Sequence, residues 1–187
     1  MPEHDRFEAC FRAFSAVTDS DSKVADAAVK QTNVARSAAR LNAVQALYQM
    51  AISGGAADSI IGQFAAAGPK GRADDDDEPV AEADQVLFAE LVRGTHAKIS
   101  QVDDMLAACL DDSWPAERME ILLRAILRCG TYELFSRPDV PARVVISEYI
   151  RVADAFFEGK EPSLVNAVLD RLARVLRPDE LAEQDSS

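Results

Sequence analysis

Arg36 and Arg40 lie four residues apart in the stretch ARSAARLNAVQALYQM, residues 35–50, which holds no acidic side chain although the 187-residue chain has formal net charge -12. On a helix, positions i and i+4 are neighbours. Two planar guanidinium groups so placed can grip adjacent phosphates through paired N–H donors. The chemistry on offer is recognition of a sugar-phosphate backbone, with an affinity that falls as salt rises. Spacing alone also fits a solubilising helix flank.

Nothing comparable offers catalysis. The sequence has no Gly-rich phosphate loop, no G-x-G-x-x-G and no G-x-S-x-G elbow. Its two histidines, His4 and His96, stand in unrelated places, so a histidine-centred metal or nucleophile site has no basis. Carboxylates are plentiful, but none pairs with another in an apolar setting that would raise its pKa for acid–base work. Cys10, Cys109 and Cys129 form no C-x-x-C pair and read as small buried thiols. The expectation is a protein that is not an enzyme and holds no cofactor or metal.

The elements that must position the arginines read as helices. Aromatic residues make up only 6% of the chain, and the Ala and Leu content favours helix over sheet. The first confident helix spans about Val34 to Ile52, with Val34, Ala38, Leu41, Val44, Tyr48 and Ile52 as its apolar stripe and Gly54-Gly55 as its stop. Asp58 or Ser59 caps a short helix through Ile60, Ile61 and Phe64. A long helical stretch runs from Glu82 to Leu110 and breaks near Ser100. Another opens near Ser113 and Pro115, with Trp114 as a core-edge plug, and runs to Leu134. Asp139-Val140-Pro141 caps and opens the next, in which Val144 to Ile146 looks strand-like for three residues before helical spacing resumes. The last starts at Glu161-Pro162 or Ser163 and ends at Arg177-Pro178. Arg128, inside an apolar helix, is expected to be a paired structural arginine.

The fold class is therefore all-α, a compact bundle of about seven helices with an added N-terminal helical arm. Residues 1–33 form the arm, weakly helical, with Phe7, Phe11 and Phe14 on one stripe and a second weak helix over Lys23 to Lys30. Residues 34–178 form the domain, interrupted by an acidic flexible loop at 68–84, and 179–187 form a disordered acidic tail. Acidity is confined to these appendages. Residues 1–35, 74–84 and 178–187 together carry 17 acids and four bases, leaving 15 acids against 16 bases for the rest. No apolar run approaches the roughly 18 residues of a spanning helix, and MPEHDRFEAC is no signal peptide. The expected location is the cytoplasm.

Four segments in order carry a resemblance: ARSAARLNAVQALYQM, ILRCGTYEL (126–134), RPDVPARVVISEYIRVA (137–153) and LVNAVLDRLARVLRP (164–178). Together they resemble the bacterial transcription antitermination factor NusB family over roughly residues 34–178. The resemblance implies an all-α fold that binds single-stranded boxA RNA of ribosomal RNA transcripts jointly with NusE, a small ribosomal-subunit protein, and so helps the elongation complex resist termination. It places Arg36 and Arg40 at the family's arginine-rich RNA-contacting helix start. It also implies RNA contacts at Lys160, Ser163, Leu164 and Asn166, although an asparagine in Asn166's setting is more often a buried hydrogen-bonding residue. Tyr48 and Glu120 are placed on the NusE-facing surface. Leu164 stands where the family commonly has Phe, Ser147 where it has Asn, and Ala167 where it has Gly. In the family the free protein occurs as monomer or homodimer. The rival readings are a helical interaction adaptor with weakened RNA binding and an RNA-targeting module of a methyltransferase, the latter disfavoured for want of a cofactor-binding domain.

Overall fold

A computed structural model of the chain describes residues 29–67, 82–110 and 119–180. The Phe7–Phe14 stripe, Cys10, most of the acidic loop, Trp114 and the last seven residues lie outside them. The described residues form seven α-helices and no strand: α1 (29–53), α2 (Ala57–Ala67), α3 (Gln85–Ala97), α4 (Ile99–Cys109), α5 (Ile121–Ser136), α6 (Ala142–Asp154) and α7 (Glu161–Leu176). The strand-like run Val144–Ile146 lies wholly within α6.

The hub is α5, which is buried from Cys129 to Leu134 without interruption and packs on α3, α4, α6 and α7. Its one small residue in that run, Gly130, lies against Leu169 and Tyr149, so that α6 and α7 can approach closely. A helix apolar on one stripe needs one neighbour, whereas a helix buried almost all round sits at the centre of a bundle.

Helix ends follow local chemistry. Gly54 takes the left-handed conformation (φ 68°), and its N–H closes α1 on the Met50 carbonyl at 2.9 Å. The Asp84 carboxylate caps α3 by accepting from Val86 and Leu87 N–H at 3.1 and 3.0 Å. The same residue's N–H donates to the Ala35 carbonyl at 3.0 Å, tying α3 to α1. The break between α3 and α4 falls at Lys98, two residues before the expected position.

Two expected caps are replaced by longer-range bonds. Asp58 lies inside α2 and accepts from Arg93 Nε of α3 at 2.7 Å. Asp139 is held by Arg137, and the first N–H of α6, at Ala142, donates instead to Glu180 Oε1 at 2.6 Å. Glu180, placed in the tail by composition, therefore belongs to the fold. Nearby Arg177 donates to the carbonyl of Leu134 in the last turn of α5 and to that of Arg137 just past its end, at 2.6 and 2.8 Å, and to Val140 at 2.6 Å. One buried side chain thus satisfies orphan carbonyls of α5 and fixes its junction with α6.

Candidate nucleic-acid interface

The face that α1 turns to the bundle differs from the sequence expectation. Ala39, Ala43, Val44, Ala46, Leu47 and Met50 are buried, while Val34, Tyr48 and Ile52 are exposed. Three alanines let the helix axis come close to its neighbours, and this small-residue face wins over a stripe of larger side chains set further round the helix. Arg40 lies on the buried face.

Arg40 is consequently not a surface cation. It is 3% exposed, and its guanidinium grips the wholly buried Glu133 of α5 in a fork, with Nε 3.0 Å from Oε2 and Nη2 2.6 Å from Oε1. Nη1 reaches Glu148 of α6 at 3.5 Å. Tyr149 donates its hydroxyl to Glu133 Oε2 at 2.8 Å, and Cys129 Sγ lies 3.2 Å from the same phenol oxygen. A phenol has one proton; with that proton on the carboxylate, the Cys129 thiol is the donor to the phenol oxygen. Burial alone would weaken Arg40's hold on its proton, but hydrogen bonding to and the charge of Glu133 outweigh it, and the pKa is raised. Burial likewise raises Tyr149, with Cys129 and Glu133 adding to it, and pushes Cys129 up to about 12. The expectation that Arg40 contacts phosphate is corrected: its donors are committed to internal acceptors.

Arg36, one turn earlier, is exposed at a groove of about 910 Å³ formed by the start of α1, the start of α3, the 137–141 connection and α6. Lys30 shares this groove, and among the described residues neither cation has an ion pair or a side-chain hydrogen bond. The other basic residues there are engaged. Arg137 pairs with Asp139 and with Glu90 at 2.7 Å, and Arg151 with Glu148 at 2.9 Å. Ser37 bonds Glu148 from the α1 side. Glu90 and Asp139 thus share Arg137, Glu148 takes Arg151, and Asp84 caps α3 with no cation on it, so Lys30 and Arg36 at the α1 rim are the groove's cations without an ion pair among the described residues.

The second predicted group does not join this groove. Lys160, Ser163 and Asn166 are exposed around the first turns of α7, and Leu164 is half-buried. Asn166 is thus at the surface, not in the buried hydrogen-bonding role most common for that residue. Lys160 precedes a helix whose opening N–H groups lack a side-chain cap; such an end favours an anion. Tyr48 on α1 and Glu120 before α5 are exposed and lie outside the groove. Arg128 is paired as expected, donating twice to Asp103 at 2.7 Å. Lys30 and Arg151 were missed. The signal for Lys30 was available: Lys30, Asn33, Ser37 and Arg40 recur at helical spacing, continuing the α1 pattern back through the supposed arm.

Among the described residues no group of three or more His, Cys, Asp or Glu side chains is arranged to hold a metal, and no helix is long and apolar enough to cross a membrane. The sequence matches the NusB family over residues 37–174, which takes in all of α2 to α6 and nearly all of α7. The chain belongs to the NusB family. It is 51% identical over 147 residues to the transcription antitermination protein NusB of Maricaulis maris, covering 78% of this chain and 89% of that one. The corresponding protein of Caulobacter vibrioides is 44% identical over 144 residues, covering 76% and 94%. The solved structure of T. maritima NusB superposes with a TM-score of 0.63 at 25% identity, over 79% of this chain and 96% of that one. Arg36 stands one residue ahead of the NusB family match, and Arg40, Lys160, Ser163, Leu164 and Asn166 stand within it.

Proposed function

We propose that this chain acts in transcription antitermination by binding single-stranded boxA RNA of ribosomal RNA transcripts together with NusE. The observation that carries this reading is the pair of cations, Arg36 and Lys30, that have no ion pair among the described residues at the exposed start of α1, in a chain half identical to a relative named as an antitermination protein. Arg36 takes a phosphate, and Lys160, with Ser163 and the free N–H groups of α7, offers a second anion site on a separate surface. Leu164 and Asn166 supply the edge on which a base can rest. Tyr48 and Glu120 face NusE. With Arg40 withdrawn into the core, the chain's own grip on RNA is weak, and the partner supplies much of the affinity.

Fluorescence anisotropy with a labelled boxA oligonucleotide, across a salt series and with or without NusE, tests this. The Arg36→Ala variant is expected to lose one phosphate contact, flattening the log–log salt dependence by about 0.7 for a single strand. Its melting temperature should be unchanged. Absence of any RNA-dependent signal, for the chain alone and for the pair, would remove the proposal. The withdrawal of Arg40 favours one alternative, an adaptor that binds NusE without RNA. That reading predicts full NusE binding and no response of RNA affinity to Arg36→Ala combined with Lys160→Ala.

A further inference from the structure

The groove at the start of α1 is also the place where exposed apolar surface collects. Nine large hydrophobic residues are exposed among the described residues, and four of them, Val29, Val34, Val86 and Val144, line this one groove; Val86 is 79% exposed. Single exposed apolar residues are ordinary, whereas a cluster across three helices signals a surface that something covers.

We infer that its occupant is the chain's own N-terminal segment, seated through Phe7, Phe11 and Phe14. The helix α1 reaches back to residue 29, and Val29 itself lines the groove, so residues 1–28 are joined to the described bundle at the groove's edge. Phe7, Phe11 and Phe14 recur at i, i+4 and i+7, one apolar stripe if that segment is helical, and no other segment of residues 1–28 carries a comparable set. The stretch between Phe14 and Val29 can extend to roughly 50 Å, more than any path across a domain face requires. A tether of this length holds the segment at millimolar effective concentration, which favours it over a second copy of the chain. Residues 1–28 contain six acids (Glu3, Asp5, Glu8, Asp19, Asp21, Asp26) against Arg6, Arg12 and Lys23. The α1 rim of the groove carries Lys30 and Arg36, which have no ion pair among the described residues, while Asp84, Glu90, Asp139 and Glu148 line its other sides, so charge favours the α1 rim alone. The docking stands whether or not RNA binds nearby, because apolar contact carries it.

The test uses the full-length chain with a benzophenone amino acid in place of Val86, an exposed position whose replacement leaves the core intact. After irradiation in dilute solution, mass spectrometry is expected to find intrachain cross-links from position 86 to residues within 5–16. In the Phe7→Ser, Phe11→Ser, Phe14→Ser variant these should fall at least about tenfold, the equivalent of one buried phenylalanine ring. Three outcomes overturn the inference: cross-links that join two chains, which assign the groove to a second copy; no cross-link to any residue before Val29; or a yield unmoved by the triple substitution. Thermal melts of each variant, expected to match the parent, separate docking from folding.

Discussion

Arg40→Ala should lower folding stability by about 3–5 kcal/mol, because it leaves the wholly buried Glu133 carboxylate without its counter-charge. For a chain of this size the melting temperature should fall by roughly 10 °C or more. The damage spreads: Tyr149 keeps its bond to Glu133, but Glu148 loses Arg40, one of its two partners on α1, and keeps Ser37 and Arg151. Urea and thermal unfolding measure the loss. The double variant Arg40→Met, Glu133→Leu, which removes both charges and keeps the volume, should recover most of the stability. Arg36→Ala, at the surface one turn away, should cost almost nothing. An Arg40→Ala protein as stable as the parent would show that the pair is not the fixed element described. A fall in RNA affinity in that variant would report lost structure, so Arg36 is the position at which binding is to be tested.

Gly94→Ala is the second large expectation. Gly94 of α3 faces α5, and a Cβ there would coincide with the Tyr132 ring. That ring has little room to yield: it is buried, and Lys98 Nζ sits 5.9 Å from its centroid while also covering Phe135 at 4.7 Å. Forcing one methyl into a packed helix crossing costs about 3 kcal/mol. This exceeds by far the small gain that alanine brings to helix propensity. Adding Tyr132→Leu, which removes the ring atoms that collide, should restore part of the loss. Equilibrium urea titration of the two single variants and the double variant gives the coupling. Additive losses would mean that the two residues do not meet.

These two sites mark the boundary of what was legible in the sequence. Helix identity was readable wherever apolar spacing and stop signals agreed. Gly54 closes α1, Pro162 opens α7, and the break before α4 falls at Lys98, close to the expected Ser100. The phase of α1 was not readable. Larger apolar side chains drew the stripe through Tyr48 and Ile52, whereas the bundle selects the alanines at 39, 43 and 46, whose value is closeness of approach rather than buried area. Arg40 was misplaced for the same reason. Its partner Glu133 stands 93 residues away, and no local pattern announces that a distant helix will present a buried carboxylate. The groove was invisible in kind: it is assembled from the start of α1, the start of α3 and α6, none adjacent in sequence. Asp139 could be seen to begin a turn, yet Arg137 holds it through paired bonds, and the cap it was expected to provide comes from Glu180.

The thiol of Cys129 has a practical use. Enclosed behind Tyr149, with burial pushing its pKa to about 12, it is almost entirely protonated near neutrality and out of reach of alkylating reagents. Only molecules whose central helix has come apart can react there, so the rate of labelling at this position, read by peptide mapping, counts opening events without any introduced probe. Under native buffer that rate should track global unfolding, and in the Arg40→Ala protein it should rise by about two orders of magnitude or more, in proportion to the stability lost.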